Sequence, residues 1–222
     1  MQLRTSAAVA ALCIAMAGCG APQEKIETAT LTVLARGKPS AADLARAQEI
    51  ITLRLSEFLP GRASSLDSRI VGKTIRFAFY GPPVREKTAT QLATTQGKFT
   101  IALTNMASDV WVTEADIEKA ALFTAEYGDA LRVRLTESAG KRLLEKTSSH
   151  LGRDMRIAWD GKTLVVSKIE SPFGEGLEFY APKPPEGLWM RVMLEHGRLP
   201  IVVEAAEYHA VPDVAGGDAA GS

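Results

Sequence analysis

Cysteine is almost absent from this chain. It has 2 cysteines in 222 residues, Cys13 and Cys19, and none follows position 19. No disulfide framework can be built from the rest. Long apolar runs are missing too: no stretch reaches the ~18 residues that a membrane-spanning helix needs. Charge of one sign is also lacking. The 26 Lys and Arg balance 26 Asp and Glu, which leaves no electrostatic footprint for nucleic acid. Histidine is scarce, and His150, His196 and His209 stand too far apart to form a ligand pair. There is no G-x-S-x-G. The triplets Gly72-Lys73-Thr74 and Gly161-Lys162-Thr163 lack the upstream glycine of a phosphate loop, because Asp67 and Arg156 occupy that position. These absences predict no enzymatic activity, no cofactor and no metal.

What is present begins with an export signal. Arg4 supplies a positive n-region, and residues 7–17 form an apolar run of 11, too short to span a bilayer. Met16-Ala17-Gly18-Cys19 then matches a lipobox. Cleavage after residue 18 removes Cys13 and leaves Cys19 as the sole cysteine of the mature chain. Lipidation of Cys19 accounts for a lone cysteine in an exported protein. Several acyl chains, at about 0.8 kcal/mol per buried methylene, hold such a protein firmly to a membrane. The expected location is the cell envelope, facing the periplasm. Gly20, in place of the aspartate that retains lipoproteins at the inner membrane, favours the outer one.

Residues 19–28 read as a tether. A β-branched strand follows at 30–36. Ser40 with Asp43 opens a helix whose Leu44, Ala47, Ile51, Leu55 and Phe58 recur at spacings of 3 and 4. Residues 68–71 and 74–80 flank Gly72-Lys73 as a hairpin, 85–94 is a helix, and Phe99, Ile101 and Leu103 alternate as a strand. The order β-α-β-β-α-β up to residue 103 is the ferredoxin-like pattern. Thr113 with Asp116 then predicts a helix through about Phe123. Leu131, Val133 and Leu135 predict a strand. Thr136 opens a helix closed by Gly152. Asp160-Gly161 centres a hairpin of 155–159 and 162–166. A strand at 177–180, a helix at 187–196 and a strand at 201–207 complete the set, and 211–222 reads as a disordered tail. Trp111, Trp159 and Trp189 read as core or interface anchors. The loop from Ser171 to Gly176 is the most unusual segment, and Phe173 at its centre is the candidate contact residue.

Several of these segments resemble the first periplasmic domain of SecD, a subunit of the protein-export machinery. The resemblance lies in residues 115–120, 131–136, Lys146-Thr147, Gly152 and 155–161, which are similar to its head. Residues 47–58, 72–77, 94–99 and 193–200 are similar to its base. Together they span roughly residues 30–210. What the resemblance implies is an α+β fold: a ferredoxin-like βαββαβ base (29–110 and 183–210) with an inserted α+β head (111–182). It also implies a non-enzymatic role in contacting unfolded, exported polypeptide or an export or envelope component. Apolar contact and strand addition at a sheet edge are the physics such binding would use. The alternative is a solitary envelope lipoprotein that keeps the fold for an unrelated ligand or partner. No transmembrane block follows the head, so coupling to proton flow is not expected of this chain.

Overall fold

The computed structural model describes residues 27–59, 64–82, 84–106, 108–126, 128–183 and 185–211. The export segment with Cys19, most of the tether, and the tail beyond Val211 lie outside them. No helix among the described residues is long and apolar enough to cross a membrane.

Strand β1 (Glu27–Ala35) buries alternate residues, as a strand with one face on a core must. The expected capping box starts the first helix: Ser40 Oγ accepts from the Asp43 N–H at 3.1 Å, and the Asp43 carboxylate accepts from the Ser40 N–H at 3.2 Å. Helix α1 (Ala41–Ser56) then packs Leu44, Ala47, Ile51 and Leu55 against the sheet. Strands β2 (Ser65–Val71) and β3 (Thr74–Tyr80) form a hairpin that turns at Gly72, where φ is 62°. Helix α2 (Glu86–Thr94) follows.

The next strand departs from the sequence pattern. β4 (Phe99–Leu103) does not close the first sheet. It lies between β5 (Val110–Thr113) and β8 (Asp154–Trp159), in a four-stranded sheet of order β5-β4-β8-β9 that ends on β9 (Lys162–Lys168). Phe99–Leu103 and Val110, grouped with the base on pattern, therefore sit in another sheet. The reason is burial: Phe99, Ile101, Ala102 and Leu103 are all buried, which requires cover on both faces. The strand that does complete the first sheet is β11 (Val203–Ala210), from the far end of the chain. Its order is β11-β1-β3-β2, antiparallel throughout, the ferredoxin-like arrangement.

A second departure falls at 114–123. The Thr113–Asp116 capping box forms, but it caps one turn of 3-10 helix (Glu114–Asp116) and the chain then extends as β6 (Ile117–Ala125). Pairing with β7 (Gly128–Leu135) outweighs the helical spacing of Ile117, Ala120 and Ala121. β10 (Gly176–Tyr180) joins the other side of β7, so the third sheet runs β10-β7-β6. Helix α3 (Glu137–Ser149) begins at Thr136 as expected, and Asp160-Gly161 turns the β8–β9 hairpin with both residues at positive φ.

Two cores result. One lies between the first sheet and helices α1 and α2; the other joins the remaining two sheets and α3. Helix α4 (Glu186–His196) serves both, with Trp189, Val192 and Met193 in the first and Met190 and Leu194 in the second. The described chain enters β1 and leaves β11 at one end of the first sheet, where Ala29 pairs with Ala210 and Val211 N–H donates to the Thr28 carbonyl. The crossings to the second unit lie at the other end. There Leu199 N–H donates to the Gln96 carbonyl, and Gln96 Nε2 to that of Ile201.

Candidate functional site

The second unit opens in a cleft of about 670 Å³ between the edge strands β9 and β10. Its walls are apolar: Met155 and Ile157 come from β8, Leu164 and Val165 from β9, and Leu177 and Phe179 from β10. That two consecutive β9 residues both face it follows from a bulge. Ile157 pairs with Val165 and Ala158 with Thr163, so Leu164 is extra and resets the alternation. A second groove of about 680 Å³ runs beside α3, with Leu135, Leu144 and Pro172 among a rim of charged residues. The cleft and the groove share Phe173 and Gly176.

Phe173, the sequence-derived contact residue, thus stands between two concavities. It is not an exposed tip. The ring is half-buried and packs against the second core. Its backbone is tied to Thr147, whose Oγ1 accepts from the Phe173 N–H at 3.1 Å and lies 3.0 Å from the Phe173 carbonyl. Gly174 meets α3 backbone to backbone: a Cβ on Gly174 would overlap the Gly140 carbonyl, and one on Gly140 that of Gly174. The loop around Phe173 is a fitted wall, and a Phe173 substitution perturbs packing as well as the cleft surface.

Other sequence-derived residues fall where their plainer readings put them. His150 caps α3, with Nδ1 2.8 Å from the Lys146 carbonyl, and His196 ends α4. Both GKT triplets turn hairpins. Trp111 and Trp189 are buried. Trp111 Nε1–H and Lys146 hold the Asp109 carboxyl below its ordinary range, which fastens α3 to the segment before β5. Among the described residues, no three His, Cys, Asp or Glu side chains gather as a metal site. Cys19 lies outside the described residues.

One further residue joins the two units. Arg54, in the last turn of α1, is fully buried at the junction of the two units. Nη1 donates to the Leu92 and Thr95 carbonyls at 3.1 and 2.7 Å; Nη2 donates to those of Gln96 and Gly197 at 3.4 and 2.6 Å. It binds the end of α2 and both crossing segments at once. Burial pushes its pKa down to about 10, with Asp160 opposing, so it remains a cation at neutral pH. Asp160 also accepts from the Gly97 and Lys98 N–H groups. A signal was present in the sequence: position 54 lies 7 and 3 residues after Ala47 and Ile51, within the apolar stripe.

The architecture is an α+β fold in which a ferredoxin-like sheet is completed by the far end of the chain, with two further sheets between. No protein-family model matches it, and no curated protein matches it by sequence. Solved structures do match. One is of SecDF, a membrane component that enhances protein export: the TM-score is 0.66 at 16% identity, covering 82% of this chain and 100% of that one. Another is SecDF in its super-membrane-facing form: the TM-score is 0.69 at 17% identity, covering 86% of this chain and 32% of that one. The chain therefore spans about a third of that longer protein's length. At such identities the likeness is one of fold, and at that level the SecD resemblance read from the sequence holds.

Proposed function

We propose that this chain is a lipid-anchored, periplasm-facing domain that binds extended, exported polypeptide in the cleft between β9 and β10, and that it carries out no chemistry. The observation that carries this reading is the cleft itself: an open apolar concavity, bounded by two strand edges, in a fold shared with a component that enhances protein export. We place the base at the first sheet with α1 and α2, and the head at the other two sheets with α3. Phe173 stays in the proposal as a wall of the cleft. Apolar contact supplies affinity without sequence selectivity, and a micromolar dissociation constant lets the client leave.

The test is binding of a permanently unfolded client, reduced and carboxymethylated α-lactalbumin, to the full-length protein. Binding in the micromolar range is expected. Tyr180→Asp should weaken it at least tenfold, since Tyr180 lines the cleft yet is 56% exposed, and the change should leave the unfolding midpoint nearly unmoved. Absence of binding to any unfolded client, alongside capture of one folded envelope protein, would replace this reading with that of a solitary lipoprotein serving a dedicated partner.

Anchoring at Cys19 fits the geometry. β1 begins and β11 ends at the end of the first sheet opposite the crossings to the head. With the 9 residues of β1 spanning about 30 Å, an anchor at Cys19 would hold the base at the membrane and the head away from it. Cys19→Ser should remove the lipid mass from the mature protein and release it from the membrane fraction. Unchanged mass and fractionation would refute the anchor. Density-gradient separation of the membranes tests the preference for the outer one.

A further inference from the structure

Six strands end the three sheets of the described residues: β11 and β2, β10 and β6, β5 and β9. Four of the six carry an extra residue opposite their inner neighbour. These are Ala206 in β11, Trp111 in β5, Glu118 in β6 and Leu164 in β9. A bulge breaks and twists the free row of N–H and C=O groups, and so keeps an edge from recruiting another strand. Only β2 and β10 keep unbroken register. β2 is flanked by α1, whose Gln48 and Thr52 reach Ser68, and the concavity beside it is small, about 150 Å³, with charged residues of both signs in its walls.

β10 is the exception. All five of its consecutive residues line the apolar cleft, whereas β8 and β6 contribute alternate ones, Met155 with Ile157 and Phe123 with Ala125. Side chains alternate between the two faces of a strand, so a strand that turns every residue toward a cavity is turning its edge toward it. Across the cleft, bulged β9 offers apolar side chains in place of a pairing edge. At its end Lys168 lines the cleft; Asp154 stands opposite it in the β8–β9 ladder, but among the described residues no ion pair joins the two.

We infer that an extended polypeptide segment binds by adding to β10 as a fourth strand of the β10-β7-β6 sheet. Alternate apolar side chains enter the cleft, and an acidic residue lies beside Lys168. Five residues span about 17 Å, the length of β10. The inference rests on the polypeptide-binding reading and specifies its mode: backbone pairing to one edge, with apolar side chains required at every second position.

The test uses the full-length protein and a fluorescein-labelled decapeptide in which valine alternates with serine and one aspartate stands near an end. Two further peptides carry backbone N-methyl groups, one on the odd residues and one on the even. Alternate residues of an added strand direct their N–H groups toward and away from the partner. One methylated peptide should therefore lose at least tenfold in affinity while the other stays within about twofold of the parent. Failure of the parent peptide to bind, together with failure of the unfolded client, overturns the polypeptide-binding reading itself. If the parent binds and both methylated peptides match it, strand addition is wrong and side-chain contact in the cleft suffices. Lys168→Glu should weaken the aspartate peptide and strengthen a lysine counterpart; equal affinities would remove the charge preference. Light scattering supplies the last arm. A monomer is expected, and a dimer that the peptide dissociates would give the β10 edge to a second copy of this chain.

Discussion

A chain ending at residue 182 should lose cooperative unfolding altogether. Truncation there removes α4 and β11, and with them seven buried apolar side chains: Trp189, Met190, Val192, Met193, Leu194, Leu199 and Val203. At about 2 kcal/mol for each, their loss of about 14 kcal/mol reaches the upper part of the ~5–15 kcal/mol by which a domain is stable. The damage reaches both cores, because α4 divides its faces between them. It also strips β1 of its partner along one edge and leaves Arg54 without the Gly197 carbonyl. Expected observations are a flat urea titration by circular dichroism and strong binding of a hydrophobic dye. The same reasoning applies to a fragment of residues 20–110. It reads as a complete β-α-β-β-α-β unit, yet it lacks the fourth strand of its sheet and carries β4 without β8. A cooperative transition of that fragment at the full-length midpoint would show that the pairing of β11 with β1 contributes little.

Arg54→Ala should cost roughly 3–5 kcal/mol, the range for removing one side of a buried charged network. The Leu92, Thr95 and Gly197 carbonyls lose the guanidinium donor, that of Gln96 keeps only Leu199 N–H, and the guanidinium leaves a void at the meeting point of α1, α2 and both crossings. Arg54→Lys should recover less than half of this, because an ammonium is a point donor and cannot span the positions served by Nη1 and Nη2. Gly97 should be nearly as intolerant of substitution: its φ is +79°, and a Cβ there would meet Arg54 Nη2 at 2.9 Å. The pH dependence follows from the depressed pKa. Between about pH 10 and the ordinary arginine range, the unfolded chain holds the proton that the folded chain has released, so the linkage term raises stability with pH only in that alkaline window. At pH 6 and pH 8 both states are fully protonated. The loss on Arg54→Ala should therefore be the same at the two values, by denaturant midpoint at constant m. A loss that disappeared at either pH would show that the network is not held by a permanent cation.

Several features of the site were legible in the sequence. The Asp160-Gly161 turn and the strand at 177–180 mark β8, β9 and β10, and Phe173 was singled out by its loop. That this loop lies flat on α3 follows only from the tertiary structure, through the Gly140–Gly174 backbone approach. The cleft was not legible. It is made of strand edges, and an edge is defined by which neighbour a strand lacks. The bulge at Leu164 is likewise a mismatch between two strands rather than a property of either.

The sequence by itself determined what local chemistry decides. Ser40 and Thr136 cap helices because their hydroxyls accept the free N–H groups of the first turn. Gly72, Asp160 and Gly161 turn hairpins because they accept positive φ, and the alternation of 75, 77 and 79 makes a half-buried strand. Tertiary structure alone decided partnership. Residues 99–103 and 203–210 are both extended, and either could have closed the first sheet by local pattern. The choice fell to burial: 99–103 is covered on both faces and takes a central place between β5 and β8, while 203–210 exposes most of its length and takes an edge. The same long-range pairing turned 117–125 from the expected helix into β6, because hydrogen bonds to β7 along the strand outweigh a weak helical preference that only one capped turn supports.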